Sequence, residues 1–289
     1  MISSVAYLNG HFVPLKDAHI SPLDRGFLFG DGVYEVIPVY NGKPFCLEAH
    51  IDRLNQSLLG IRLPFPHTKA SLQAILETLV EKNGGQDQLI YLQVTRGADT
   101  TRDHHFPNAI PPTLFAYSYP KIYPSKEEQS KGIKVITVKD MRWKNCHIKT
   151  TARIAYVLML QQAKDQGCDE GIIMNTGYAL EGTTSNVFIV RHGVMITPPQ
   201  TSLILNGITR DCVLSLAEKN KMPYRETKIS ERELLNADEM WVTGSGRGIS
   251  PVIEFNGNSV GNGKAGPIWN TIWDLYARDI NKLSLPVSH

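Results

Sequence analysis

Short runs of apolar and β-branched residues alternate with polar turns in the first 120 residues and predict a small mixed domain. Asn-Gly pairs at 9–10 and 41–42 each lie between such runs and indicate hairpin turns. Apolar residues at helical spacing follow in 51–58 and 68–82, and Gly84-Gly85 ends the second pattern. The same pattern predicts strands at 33–40, 89–95 and 113–119.

After residue 120, apolar residues again follow helical spacing in some segments and form strand-like runs in others. A helix is predicted from about 151 to 166, where Gly167 ends it, and another from near Thr209. Ser230-x-x-Glu233 is a capping box that predicts a short helix. The sequence also predicts strands at 133–138, 171–174, 187–190 and 240–243. A hairpin turn is predicted at 256–257 and a final helix around 268–276.

These elements predict an α+β chain of two domains, because strands and helices follow one another without a regular βαβ rhythm. The stretch 120–131 is polar, carries prolines and lacks an apolar period, so it predicts the boundary. We therefore expect a smaller N-terminal α+β domain at 1–120, a linker at 121–131 and a larger C-terminal α/β domain at 132–289.

Composition and charge exclude several classes of protein. A hydrophobic content of 42% and a net charge of +2 describe an ordinary folded chain without a basic arm for nucleic acid. No signal-peptide pattern and no apolar run of membrane-spanning length is visible. The four cysteines form no Cys-x-x-Cys pair, so we expect reduced thiols in a cytoplasmic protein and no metal site.

A polar loop at 96–107 follows one predicted strand and carries Arg102 and His104 two positions apart. An arginine binds a planar carboxylate through two parallel hydrogen bonds, and a nearby histidine adds a further donor. The pair is therefore a candidate anion site, although an exposed Arg-x-His is more often a solvated loop.

A second candidate lies where the helix near Thr209 begins. Gly207-Ile208-Thr209 offers free backbone N–H groups and a hydroxyl at the positive end of the helix, a cradle suited to phosphate. Simple N-capping by Thr209 explains the same spacing. Arg53, on the polar side of the helix at 51–58, is either a cation for such a site or a surface arginine.

Glu181 and Lys149 are weaker candidates by spacing alone. Glu181 is predicted in a small-residue loop before a strand, where a solvated glutamate is the default; held near a heteroaromatic nitrogen, it would keep that nitrogen protonated. Lys149 precedes a predicted helix, and most lysines in such places are solvated. Gly261-x-Gly263-x-x-Gly266 matches a dinucleotide-binding motif, but it lacks the second strand and acidic partner and is predicted as a loop.

Several segments carry a family resemblance when they are taken in chain order: 24–40, 50–54, 93–97, Lys149 after Cys-His-Ile, 181–188, 207–211 and 250–252. Together they resemble the class IV (fold type IV) pyridoxal-phosphate aminotransferases, and most closely the D-amino-acid aminotransferases. The resemblance covers nearly the whole chain. It implies a two-domain α+β fold of type IV with the active site between the domains.

The resemblance also implies a role for each candidate. Lys149 would form the Schiff base with pyridoxal 5′-phosphate and move the proton between the substrate Cα and the cofactor C4′, and Glu181 would pair with the pyridinium nitrogen. The phosphate anchor would comprise Arg53, Ile208 and Thr209, helped by Ser245 and Gly246, while Leu205 packs against the ring. The substrate carboxylate would be held by Tyr34, Arg102 and His104, the last two from the partner subunit of a homodimer.

The activity implied is a ping-pong transamination in which D-alanine and 2-oxoglutarate give pyruvate and D-glutamate. The alternatives are a branched-chain L-amino-acid aminotransferase, an R-selective amine transaminase, aminodeoxychorismate lyase or, outside enzymes, a carrier of pyridoxal phosphate. One segment departs from the family pattern: 243–249 is rich in glycine and carries Arg247. We hypothesise that Arg247 favours substrates with a side-chain carboxylate; a solvent-facing arginine is the alternative.

Overall fold

The computed structural model describes residues 4–283, which divide into two compact units. The first unit comprises the chain up to Ile122 together with Ile148–Arg153. The second comprises Tyr123–His147 and Ile154–Lys282. Each unit contains its own sheet and helices, and the α+β class expected from the sequence is confirmed.

The described residues of the first unit form one antiparallel sheet and three α-helices. The strands are β1 (Val5–Leu8), β2 (His11–Pro14), β3 (Gly32–Tyr40), β4 (Lys43–Pro44), β5 (Gln88–Thr95) and β6 (Thr113–Pro120), in the order β2-β1-β6-β5-β3-β4. The helices are α1 (Arg25–Phe29), α2 (Leu47–Gly60) and α3 (Lys69–Lys82).

Local sequence explains how these elements begin and end. Asn9 and Asn41 adopt positive φ angles of 47° and 50° in the turns of the β1–β2 and β3–β4 hairpins, a conformation that asparagine tolerates well. The Thr68 side chain caps α3 by accepting a hydrogen bond from the Ser71 N–H. The apolar faces of α2 and α3 then pack with the inward side chains of β3 and β5 into one core.

Between residues 123 and 282, the second unit forms a mixed sheet and five α-helices. Its strands are β7 (Ile133–Lys139), β8 (Glu170–Asn175), β9 (Tyr178–Gly182), β10 (Asn186–Arg191), β11 (Val194–Thr197), β12 (Tyr224–Glu226), β13 (Ile229–Ser230), β14 (Glu239–Gly244), β15 (Gly248–Phe255) and β16 (Asn258–Ser259). They run in the order β12-β11-β10-β14-β15-β7-β8-β9-β13, with β16 paired to β15. The helices are α4 (Lys126–Ser130), α5 (Ile154–Asp165), α6 (Ile208–Lys219), α7 (Glu231–Leu235) and α8 (Pro267–Lys282).

Helix packing and local capping stabilise the second unit. Helix α5 connects the parallel strands β7 and β8 and packs Tyr156, Met159 and Ala163 against them. The predicted capping box is present at α7, where Ser230 and Glu233 bind each other's backbone N–H groups. The longest described helix, α8, has 16 residues, and none of the helices within 4–283 is long and apolar enough to cross a membrane.

The division into units differs from the predicted domains in two places. The predicted linker 121–131 contains α4, which begins with a Ser125–Glu128 capping box and belongs to the second unit. Helix α5 begins at Ile154 rather than near Thr151, because the Thr151 N–H and hydroxyl bind the carbonyl oxygens of Gly32 and Gly30. Lys149 therefore belongs to the first unit, whereas the sequence placed it in the C-terminal domain.

Candidate active site

Lys149 is held against β3 and α2 through its backbone. Its carbonyl accepts a hydrogen bond from the Tyr34 N–H at 3.0 Å, and its own N–H donates to Ser57 Oγ at 3.2 Å. The next residue, Thr150, forms a β-bridge with Val33. Main-chain contacts on both sides thus orient the side chain of Lys149, although it lies in an irregular segment.

The amine of Lys149 lies over an aromatic ring. Its Nζ is 4.3 Å from the centroid of Tyr34, which also stacks on Tyr91 at 5.7 Å between ring centroids. Burial raises the pKa of the Tyr34 hydroxyl, but the positive charges of Lys149 and Arg153 and a hydrogen bond from Lys149 bring it below its ordinary value. The Lys149 amine therefore lies beside the Tyr34 hydroxyl, whose pKa is lowered, within the first unit.

Three buried ionisable side chains of the same unit, Glu35, His50 and Arg53, contact one another. Glu35 is fully buried and accepts hydrogen bonds from Arg53 Nε at 2.8 Å and Nη2 at 2.7 Å. His50 Nδ1 lies 2.8 Å from the same carboxylate. Burial raises the pKa of Glu35, but Arg53 and His50 bring it down to about 2. The positive charge of Lys149 contributes to a lowered pKa of His50, for which burial is the main cause, so this cluster and the amine affect each other.

The sequence identified Arg53 but missed Glu35 and His50. Arg53 is buried on α2 and paired with a carboxylate, which differs from the surface position that was its default. The missed signal is a glutamate at an inward position of β3, between the core residues Val33 and Ile37. Alternation of side chains along a strand places Val33, Glu35 and Ile37 on the same apolar face. A carboxylate buried there needs a cation as its partner, and the sequence did not show that Arg53 was that cation.

Glu181 lies in the second unit, in a strand. The prediction of a loop at Glu181 is wrong, because β9 extends from Tyr178 to Gly182 and pairs with β8. Its carboxylate is buried and accepts hydrogen bonds from the Leu205 N–H at 2.9 Å, Asn186 Nδ2 at 3.4 Å and Arg142 Nη1. Donors from three separate segments thus converge on one carboxylate.

Arg142 is a further residue that the sequence missed. Its side chain is completely buried and binds Asp140 as well as Glu181. Burial lowers the pKa of Arg142, but the hydrogen bond to Asp140 and the charge of Glu181 raise it by more, so the arginine stays charged. Arg142 also donates to the Leu203 carbonyl at 3.0 Å and thereby holds the segment that carries Leu205.

The first turn of α6 follows Leu205 and retains the features of an anion cradle. Gly207 occupies the N-cap position without a side-chain hydrogen bond, and the buried Thr209 follows two positions later, so Thr209 is not the N-cap. Helix geometry leaves the first N–H groups, including those of Ile208 and Thr209, without intrahelical partners. A Cβ at position 207 would collide with Asn186 Oδ1, so only glycine fits the approach to α6.

Ser245, Gly246 and Arg247 form the turn between β14 and β15. The Arg247 N–H closes the turn by donating to the Gly244 carbonyl at 3.1 Å. The Arg247 guanidinium lies 3.5 Å from the carboxylate of Glu170, which is fully buried and accepts hydrogen bonds from the hydroxyl groups of residues 183–185. The partly exposed cation of Arg247 therefore faces a negative charge of its own unit.

Arg102 and His104 are exposed in the loop between β5 and β6. In the described residues of one chain, both contact Phe29, at 4.7 Å from Arg102 Cζ and 5.0 Å between rings for His104. Tyr34 instead contacts Lys149 and Tyr91. Among residues 4–283 there is no group of three or more His, Cys, Asp or Glu side chains that could hold a metal ion.

The model of the family described as amino-transferase class IV matches residues 32–255, which include Lys149, Glu181 and the first turn of α6. The chain belongs to the class IV aminotransferases. It is 40% identical to the D-alanine aminotransferase of Bacillus licheniformis, covering 91% of this chain and 93% of the relative. The D-alanine aminotransferase of Listeria monocytogenes serotype 4b is 37% identical, covering 94% and 95%.

Aminotransferases of known structure have the same fold. The branched-chain amino acid aminotransferase of Escherichia coli superposes with a TM-score of 0.89 at 27% identity, covering 96% of this chain and 94% of that one. A second branched-chain amino acid aminotransferase, from T.th. and solved with pyridoxamine 5′-phosphate, also gives a TM-score of 0.89, at 26% identity, covering 97% and 95%. The type IV fold implied by the sequence resemblance is thus confirmed.

Proposed function

We propose that this class IV aminotransferase is a pyridoxal-phosphate-dependent D-amino-acid transaminase that converts D-alanine and 2-oxoglutarate into pyruvate and D-glutamate. The observation that carries the proposal is the 40% identity to a D-alanine aminotransferase over nearly the whole chain, with a backbone-anchored lysine at position 149. The enzyme class and the cofactor follow from the family.

The residues present fit the cofactor chemically. Pyridoxal phosphate offers an aldehyde, a ring nitrogen that is basic, and a dianionic phosphate. The chain supplies a lysine amine, a buried carboxylate at Glu181, and a helix start at Gly207 where a Cβ would have no room. When bound, the cofactor supplies an electron sink that makes the substrate Cα hydrogen acidic.

We assign the protein groups as follows. Lys149 would hold the cofactor aldehyde and would carry a proton between the substrate Cα and the cofactor C4′, since an amine can serve both as nucleophile and as base. Glu181, oriented by Arg142 and the Leu205 N–H, would accept a hydrogen bond from the ring nitrogen and favour its charged form. Leu205 supplies an apolar contact for the ring.

The phosphate is assigned to the first turn of α6, with Ser245, Gly246 and Arg53 as further proposed contacts. The N–H groups of Ile208 and Thr209 lie at the positive end of the helix, which favours an anion. Ser245 and Gly246 add the turn before β15. We include Arg53 as a weaker contact, because Glu35 already accepts two hydrogen bonds from its guanidinium and offsets much of its charge.

The choice between D- and L-amino acids depends on the carboxylate site. The fold is shared with branched-chain aminotransferases, so it does not discriminate between them. We assign the D-amino-acid specificity to Tyr34, whose hydroxyl lies beside Lys149, together with Arg102 and His104. Arg102 and His104 are exposed in one chain, and we propose that a homodimer brings them to the partner subunit's Tyr34. The four cysteines form no Cys-x-x-Cys pair in the sequence, and we propose a reducing, cytoplasmic location.

The proposal is tested by the half-reaction with single amino acids. Purified enzyme loaded with pyridoxal phosphate is mixed with D-alanine, L-alanine or L-leucine, and loss of the cofactor's visible absorbance is followed. Conversion by D-alanine at least roughly a hundredfold faster than by either L-amino acid is expected. Faster conversion by L-leucine would instead identify a branched-chain aminotransferase, and cofactor binding without conversion by any amino acid would identify a carrier.

A single variant tests the proposal that Arg102 binds the substrate carboxylate. Arg102→Ala should lower kcat/KM for D-alanine by about a hundredfold, because a bidentate charged hydrogen bond is lost, and should leave a simple amine such as 1-phenylethylamine nearly unaffected. Arg62→Ala, an exposed arginine near the same loop, is the control. Equal losses for both substrates would exclude the role given to Arg102.

A further inference from the structure

The loop that carries Arg102 and His104 is joined to its unit by two arginines that share one carboxylate. Asp31 Oδ2 accepts hydrogen bonds from Arg25 Nε at 2.9 Å and Arg96 Nε at 2.8 Å, and Asp31 Oδ1 accepts from Arg96 Nη2 at 3.0 Å. Burial raises the pKa of Asp31, but the two arginines bring it below its ordinary value. Three charged groups are thus locked together at the base of the loop.

Arg25 extends from this base to the backbone of the loop itself. Its Nη1 donates to the Asp103 carbonyl at 2.5 Å and its Nη2 lies 3.5 Å from the His104 carbonyl. The Arg25 side chain is only 4% exposed, and its backbone N–H donates to the Gly97 carbonyl at 2.9 Å. A single guanidinium therefore holds the peptide units that follow Arg102 while it remains paired with Asp31.

Phe29, one turn after Arg25 on α1, contacts the side chains of Arg25, Arg102 and His104. The guanidinium carbon of Arg25 lies 4.8 Å from the Phe29 centroid and that of Arg102 lies 4.7 Å from it. The His104 ring is 5.0 Å away. A ring with a cation nearby gains electrostatic attraction, so Phe29 favours one orientation of Arg102 among the many that an exposed arginine samples.

The other end of the loop is also closed. The Arg96 guanidinium lies 3.8 Å from the ring centroid of Phe106. Gly97 has a φ of +97°, and a Cβ added there would collide with the Pro111 carbonyl. The two ends of the loop therefore approach each other at a distance that only glycine permits. The loop thus takes its shape from contacts within one chain.

We infer that Arg25 and Phe29 are positioning residues that hold Arg102 and His104 ready to receive a substrate carboxylate. The inference rests on the proposed function, in which Arg102 and His104 bind that carboxylate. An arginine and a histidine on a free loop would lose conformational freedom on binding, and fixing them beforehand removes that loss from the binding step. Neither Arg25 nor Phe29 needs to contact the substrate.

The test compares two variants with a matched control in the intact enzyme loaded with pyridoxal phosphate. Arg25→Lys keeps a cation for Asp31 but loses the bonds to the two loop carbonyls; Phe29→Leu keeps apolar volume but loses the ring. Each should raise KM for D-alanine about tenfold, through loss of a charged hydrogen bond in Arg25→Lys and of a cation–π contact in Phe29→Leu, with kcat changed less than about twofold. KM for 1-phenylethylamine, which has no carboxylate, should stay unchanged.

Two readouts separate positioning from general damage. Binding of propionate, an unreactive carboxylate, measured by calorimetry should weaken about tenfold in both variants. Hydrogen exchange of residues 99–106 should speed up, while that of β3 and β5 should not. Arg62→Met removes another arginine near the loop, whose guanidinium is 5.4 Å from Phe106, and should match the wild type in all of these measurements.

The outcomes distinguish this inference from the function on which it rests. If Arg102→Ala leaves propionate binding intact, the carboxylate role of Arg102 is wrong. If Arg102→Ala weakens propionate binding but Arg25→Lys and Phe29→Leu do not, positioning by Arg25 and Phe29 is wrong. Equal losses for D-alanine and 1-phenylethylamine in both variants would also overturn it, and if Arg25→Lys does not fold, Phe29→Leu decides alone.

Discussion

Glu35 in the first unit and Glu181 in the second are both buried strand carboxylates paired with a buried arginine, yet their partners come from different distances along the chain. Glu35 binds His50 and Arg53, which lie one turn apart on α2. Glu181 binds Arg142 and the backbone of Leu205, which lie in separate segments. The first cluster joins one strand to one helix, whereas the second joins segments far apart in sequence.

We expect this difference to separate a stabilising role of Glu35 from the catalytic role proposed for Glu181. A carboxylate saturated by two side chains of one helix has its charge balanced locally and stabilises the packing under Lys149. A carboxylate held by several segments fixes the direction of its oxygens instead, which suits recognition of a ligand atom. Changes in the two clusters should therefore affect different measurements.

The largest effect is expected at Lys149 itself. Lys149→Ala should remove covalent attachment of pyridoxal phosphate and lower transamination by at least roughly a thousandfold, because nucleophile and proton carrier are lost together. Attachment is measured by borohydride reduction and mass spectrometry. Lys144→Ala, an exposed lysine of the second unit, is the control, and a modified residue other than Lys149 would refute the assignment.

Glu181→Gln should keep covalent attachment and lose rate. The amide keeps the size of the side chain but removes the charge that favours a protonated ring nitrogen, so kcat should fall by about a hundredfold. Single-turnover conversion with D-alanine measures the chemical step. An unchanged single-turnover rate would contradict the role proposed for Glu181, and so would loss of covalent attachment.

Arg53→Met should act mainly on stability. It leaves Glu35 buried without its bidentate partner, and breaking a buried ion pair from one side lowers the free energy of unfolding by roughly 3–5 kcal/mol. Urea denaturation measures this loss. The double variant Arg53→Met/Glu35→Gln should recover much of it, since no unpaired charge remains; a double variant as unstable as the single one would contradict the ion-pair explanation.

Acid should weaken the first cluster in a defined range of pH. The pKa of Glu35 is about 2 in the folded chain against an ordinary value of 4.5, so the unfolded chain takes up the proton first as the pH falls. The contribution of Glu35 is complete above about pH 4.5 and is lost toward pH 2, amounting to about 3 kcal/mol. The difference in unfolding free energy between wild type and Glu35→Gln, measured against pH, should shrink over this range rather than stay constant.

The smallest effect is expected at Arg247. If its guanidinium favours side-chain carboxylates, Arg247→Ala should lower kcat/KM for D-aspartate and D-glutamate relative to D-alanine by about fivefold, the size of a partly exposed charge interaction. Its pairing with Glu170 limits the effect. Unchanged ratios would mean that Arg247 serves only the turn between β14 and β15.

Many elements could be predicted because their signals are local. The Asn-Gly hairpin turns and the Ser230 capping box each depend on a few neighbouring residues, and all are present. Helix α4 was missed because it is short and polar, without an apolar period to detect. The strand at Glu181 was missed because small residues that follow it resemble a loop, while pairing with β8 decides its conformation.

The sequence by itself determined the family and the α+β class, and it supplied Lys149 and Glu181 as the proposed site residues, since ordered motifs and periodicity are properties of the chain alone. Only the tertiary structure decided that Lys149 packs with the first unit, that Glu35 and Arg142 are buried charges, and that Arg25 holds the Arg102 loop. The physical reason is that a buried charge must find its partner in space. Arg25 and the Asp103 carbonyl that it binds lie 78 residues apart in the chain, beyond the reach of any local pattern.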